Sequence, residues 1–105
     1  MPAPHNGERR YEVHLSGAIA EELRRLQRQA SQTEGSRAIA SAFRQIVARL
    51  ERDPNTFGEP LYRLPGLRMQ VRTCIVRPLV VDFAVCEDHP LVFLKGVALL
   101  SGRGT

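Results

Sequence analysis

The hydrophobic period of this chain changes once, within a few residues. Up to Leu50 the apolar residues recur at helical spacing, and from Leu67 onward they alternate or run in β-branched blocks. The stretch Gly58-Glu59-Pro60-Leu61-Tyr62-Arg63-Leu64-Pro65-Gly66-Leu67-Arg68-Met69-Gln70-Val71-Arg72 therefore reads as a hinge between a helical half and a β half. A chain of 105 residues is long enough for one core and too short for two, so both halves have to share it. The expected class is α+β.

In chain order, residues 1–9 are rich in Pro, Gly and polar side chains and read as a flexible segment. Tyr11-Glu12-Val13-His14-Leu15 alternates as a short strand with Tyr11, Val13 and Leu15 inward, leaving His14 outward beside Glu12. Ser16 is a candidate N-cap, followed by the stripe Ile19, Leu23, Leu26, Ala30 of a helix running to about Gln32. Glu21 and Glu22 are spaced to pair with Arg24 and Arg25 on its solvent side. After the turn formers from Ser31 to Gly35, Ser36 can cap a second helix, whose stripe is Ile39, Phe43, Ile46 and Leu50, widened by Ala42 and Val47; Asp53-Pro54-Asn55 ends it. A connection this short makes the two helices an antiparallel hairpin, and their stripes need a sheet to cover them.

Past the hinge, Leu67, Met69 and Val71 alternate with Arg68, Gln70 and Arg72. Cys74 to Pro78 is expected to turn or bulge, and strands follow at Leu79 to Cys86 and Leu91 to Leu100, making a three-strand antiparallel meander. If the hairpin closes with Cys86 opposite Leu91, Ala84 faces Phe93, Asp82 faces Lys95 and Val80 faces Val97. Leu79, Val81, Phe83 and Val85 then meet the helices. The domain is expected over residues 10–100, with 101–105 a flexible tail.

That register places Asp82 and Lys95 on the uncovered face, joined by Arg68, Gln70 and Arg72 if the apolar side of their strand meets the helices. Two readings stay open. One is a cross-strand ion pair among solvated arginines; the other is a phosphate-binding trough, with Arg68, Arg72, Asp82 and Lys95 as candidate catalytic groups and Arg63, Arg68, Arg72, Arg77 and Lys95 as phosphate or target ligands. The net charge of +4 supports an acidic or polyanionic partner, and residues 60–105 hold six Lys and Arg against three Asp and Glu. Cys74 and Cys86 lack the spacing of a zinc site and read as small packed hydrophobes, so no metal or cofactor is expected. No apolar run approaches bilayer length and the N-terminus has no signal-peptide core, which points to a cytoplasmic protein without membrane contact.

The order strand, helix hairpin, Gly58-Glu59-Pro60-Leu61 leading to Leu67-Arg68, then a meander ending in Val92-Phe93-Leu94-Lys95-Gly96-Val97 resembles the RelE/ParE superfamily of toxins from bacterial type II toxin-antitoxin systems. The resemblance covers about Arg10 to Leu100. It implies a small basic toxin neutralised by a small acidic antitoxin, acting either on mRNA at the ribosome as a metal-independent endoribonuclease or by binding DNA gyrase without nuclease activity. By this resemblance Arg68 and Arg72 match the family's basic positions on the strand after the hinge, and Lys95 is a basic residue on the last strand. The nuclease branch usually carries a Tyr or His near the end of the last strand, where this chain has Val97-Ala98-Leu99-Leu100-Ser101-Gly102. The expectation is therefore a toxin that inhibits growth by binding, with the endoribonuclease and a non-toxic interaction module as alternatives. An antitoxin segment is expected over the helix hairpin or an apolar groove beside it, with Leu23, Phe43 and Phe93 as candidate contacts.

Overall fold

The computed structural model describes residues 10–30 and 34–100, so the flexible segments expected at 1–9 and 101–105 and the turn at Ser31 to Thr33 lie outside the described residues. The order of elements is β1 (Glu12–His14), α1 (Gly17–Gln29), α2 (Glu34–Arg52), β2 (Glu59–Leu64), a 3₁₀ turn (Pro65–Leu67), β3 (Met69–Val76), β4 (Leu79–Cys86) and β5 (Leu91–Leu99). The strands form one sheet in the order β1-β5-β4-β3-β2. β1 lies parallel to β5, and the other neighbours are antiparallel. The class is α+β, with the helix hairpin on one face of the sheet.

Each helix forms where its stripe and its caps agree. Ser16 Oγ accepts a hydrogen bond from the Ile19 amide at 3.2 Å, satisfying one of the free N–H groups of the first turn of α1. α1 stops at Gln29, and α2 begins at Glu34, so Ser36 sits inside the first turn instead of capping it. Arg49 and Arg52 lie in the last turn of α2, where cations complement the carbonyl end of the helix. Arg49 also grips the Asp53 carboxylate with two hydrogen bonds of 3.1 and 3.2 Å, which hold that carboxyl below its ordinary value.

The core is the layer between the helices and one side of the sheet. Ile39, Ala42, Ile46 and Leu50 from α2 and Leu26 from α1 bury against Leu79, Val81, Phe83 and Val85 of β4, Val92, Leu94 and Val97 of β5, and Cys74 of β3. Ile19, Leu23, Phe43, Tyr11 and Val13 pack at its margin. Leu23 and Phe43 therefore belong to the core side. Leu15 is 40% exposed, because β1 ends at His14 before a third inward position is reached.

Two strand features depart from the sequence reading. Glu59–Leu64, read as hinge, is an edge strand paired with β3, so four antiparallel strands follow the helices instead of three. The β4–β5 ladder follows the expected register from Val85↔Val92 through Phe83↔Leu94 and then slips by one, to Asp82↔Gly96 and Val81↔Val97. Lys95 is left unpaired as a bulge. Without the slip, Val97 would lie on the open face and Gly96 would face the helices. The bulge buries Val97 to 8% exposure, and full burial of such a side chain stabilises by about 1.5–3 kcal/mol, more than Gly96 could contribute.

The chain leaves α2 through Gly58, at φ +73°, where an added Cβ would stand 2.1 Å from the Thr73 carbonyl oxygen. Gly58→Ala is expected to destabilise the fold by more than about 1 kcal/mol, from the left-handed backbone and the clash together. Urea unfolding midpoints of the two proteins measure it.

Candidate functional site

Of the four charged groups expected to meet on the open face, Arg68, Arg72, Asp82 and Lys95, Arg72 is not on that face. Arg72 is 7% exposed and lies on the helix-covered side of β3, in register with Phe83. Its Nε donates to the Phe57 carbonyl at 3.0 Å, Nη2 to the Gly58 carbonyl at 3.1 Å and Nη1 to Gln70 Oε1 at 3.1 Å. Two of the three nitrogens are thus spent on the segment that joins α2 to β2, and the third on Gln70 of β3 itself. Phe57 is held there as well, with its ring stacked at 6.2 Å from Phe83 and the Arg49 guanidinium 4.4 Å above it. Arg72 is a structural clamp.

The parity of β3 decides this. The turn after β3 is the two residues Arg77 and Pro78, so Val76 pairs with Leu79. Leu79 faces the helices, so Val76, Cys74, Arg72 and Gln70 have to face them too. The short spacing between Val76 and Leu79 in the sequence allows this turn but does not by itself decide the pairing. The turn was hidden by reading Cys74 to Pro78 as irregular.

The remaining candidates are dispersed. Arg63, on the edge strand β2, holds Glu87 through both Nε and Nη2 and keeps its carboxyl below the ordinary value. Arg68 is not in a strand: it closes the 3₁₀ turn at φ +55° and lies 3.3 Å from Asp88. Arg77 stands at the other end of β3, roughly 27 Å along the strand from Arg68. Lys95 is the exposed bulge residue, and among the described residues no ion pair joins it to Asp82, whose partner across β5 is Gly96.

What the open face does carry is a cross-strand row running through all five strands. Tyr62 of β2 pairs with Val71, Val71 with Ala84, Ala84 with Phe93, and Phe93 with His14 of β1. Val71 and Ala84 are 1% and 2% exposed although no helix covers them, so the row is closely packed at its centre. His14 and Phe93 stack with ring centroids 5.3 Å apart, and His14 Nε2 lies 3.6 Å from a Glu12 carboxylate oxygen. Tyr62 stays 52% and Ile75 57% exposed. By register, the carboxylates Glu12, Glu59 and Asp82 share this face, Lys95 stands exposed in the bulge next to Gly96, and Arg72 is not among them. The trough expected from Arg68, Arg72, Asp82 and Lys95 therefore lacks Arg72 on this face. Sequence reasoning missed the row because it requires β1 beside β5 and β2 beside β3, two pairings that join segments distant in the chain or read as hinge.

Both cysteines are free thiols. Burial pushes the Cys74 thiol up to about 11, and burial followed by the nearby Asp88 raises that of Cys86. Among the described residues no group of three or more His, Cys, Asp or Glu side chains is placed to hold a metal ion, and no helix is long and apolar enough to cross a membrane. No family model and no curated protein matches this chain.

Replacing Arg72 by Met strands the Phe57 and Gly58 carbonyls and is expected to cost about 2–4 kcal/mol. Arg72→Lys should recover less than half of that, since one ammonium cannot span the three acceptors; chemical denaturation distinguishes the variants. Native protein treated with iodoacetamide at pH 8 is expected to label Cys86 first, with Cys74 reacting only after denaturant is added. Peptide mass mapping reads the order.

Proposed function

We propose that the chain is a RelE/ParE-like toxin that arrests growth by binding a cellular protein target through the open face of its sheet, and that a cognate antitoxin neutralises it by covering that face. The observation that carries the proposal is the row His14, Phe93, Ala84, Val71 and Tyr62, which presents a packed apolar centre with a half-exposed aromatic at its β2 edge and Ile75 nearby. A protein partner is recognised by such a patch, because desolvating apolar and aromatic surface supplies most of the energy of an interface core. The resemblance supports the same reading through the order of elements and the Gly58-Glu59-Pro60-Leu61 segment. Arg72 is buried against the Phe57 and Gly58 carbonyls, and Arg63 and Arg68 are paired with Glu87 and Asp88. That favours binding over phosphodiester chemistry.

The endoribonuclease alternative has one group in its favour, His14, an imidazole on this same face with a carboxylate beside it. Expression in a bacterial host separates the readings. The binding proposal expects growth arrest with transcripts intact by primer extension, relieved by Ile75→Asp or Tyr62→Asp in protein that melts at the wild-type temperature. Each of these substitutions is expected to weaken target capture by about tenfold or more. Cleaved transcripts that become intact in His14→Gln would transfer the function to the nuclease branch. Normal growth on expression would leave neither.

A further inference from the structure

The outer side of the helical layer carries a row of positive charge of its own. On α2 the residues Arg37, Ser41, Arg44, Ala48 and Arg52 fall at i, i+4, i+7, i+11 and i+15, one outward stripe. Arg37, Arg44 and Arg52 are all exposed, and among the described residues none of them has an ion-pair or hydrogen-bond partner. The carboxylates near the C-terminal end of this helix are already held, Glu51 by Arg10 and Asp53 by Arg49. At the other end, Arg24 and Arg28 of α1 line a hollow of about 360 Å³ with Gln27 and Ser36, next to Arg37. Arg24 is tied to Glu21 at 2.8 Å, whereas Arg28 has no such tie. The helical layer thus presents Arg28, Arg37, Arg44 and Arg52 without a direct ion-pair contact among the described residues, Arg28 and Arg52 lying only in the longer-range field of Glu21 and Asp53, and the last three are spread over roughly 22 Å of helix.

We propose that this outer face of the helix hairpin docks on the phosphate backbone of a double-stranded nucleic acid, without reading its sequence. Charge complementarity selects a polyanion. The residues between the arginines choose among polyanions. Ala38, Ser41, Gln45 and Ala48 are small or polar, so the ridge can approach a broad surface closely and has no aromatic or large aliphatic anchor. A protein partner of ordinary affinity requires such an anchor, and a membrane surface requires an apolar side to insert. A single strand is normally held by bases stacked on aromatic rings, and the stripe has none. A duplex backbone asks only for cations at intervals along a ridge, and Arg supplies bidentate contacts to its phosphate oxygens. The site is on the opposite side of the molecule from the open sheet face and is independent of what that face binds.

The test is fluorescence anisotropy of the full chain with a 20-base-pair DNA duplex and a 20-base-pair RNA duplex of arbitrary sequence, titrated between 50 and 200 mM salt. Binding to at least one duplex is expected, with log K falling against log salt at a slope of about −3 to −4 for three or four phosphates. Arg37→Gln with Arg44→Gln should weaken it by about tenfold or more and reduce the slope by about 2. Arg77→Gln with Lys95→Gln changes net charge equally on the β half and should alter affinity by less than about twofold. Circular dichroism and the melting temperature confirm that both double variants remain folded. No duplex binding at 50 mM salt, equal losses in the two double variants, or tighter binding of polyglutamate or of a single strand than of either duplex would overturn the proposal.

Discussion

The Arg72 guanidinium is the contact on which the rest of the arrangement depends. Where the chain leaves α2 it has to reverse into an edge strand, and the reversal leaves the Phe57 and Gly58 carbonyls pointing inward without sheet or helix partners. A buried carbonyl without a donor costs about as much as a lost hydrogen bond, so a donor has to come from elsewhere. Arg72 reaches both and is itself steadied by Gln70. Because a guanidinium is a rigid planar fork, meeting these acceptors also sets the position of β2 against β3. Gly58 then lies so close to Thr73 that a side chain does not fit.

From that corner follow the position of Phe57, its stacking with Phe83 and its cation contact with Arg49. The same corner defines the two surfaces of the molecule. With Arg72 drawn under the helices, and Arg63 and Arg68 tied to Glu87 and Asp88, the β half loses the cationic character that its composition suggests. Its open face is left apolar and edged with carboxylates. The helix hairpin carries a row of exposed arginines whose nearest acids are mostly engaged by other side chains.

A basic β half was a fair reading of a linear charge count and an incomplete reading of a surface. Six cations against three acids says nothing about which cations are satisfied internally. In the fold, one of the six is buried among carbonyl oxygens and two are paired. The helical half, nearly balanced by count, carries a row of unpaired charge of its own, because its acids are spaced to pair with some of its arginines and not with others.

The sequence by itself determined the class, the two helices with their stripes, the Ser16 cap, the strands β4 and β5 and the first half of their register. These rest on local periodicity and on short connections, which sequence spacing expresses directly. Only the tertiary structure decided the side of β3 on which Arg72 lies, the strand made from Glu59 to Leu64, the bulge at Lys95 and the parallel seat of β1 beside β5. In β3 apolar residues stand at both parities, Met69, Val71 and Ile75 against Cys74 and Val76, so alternation alone could not choose the buried face. The choice was made by the tight turn to Leu79 and by burial of Val97 in preference to Gly96. Both are properties of the assembled sheet.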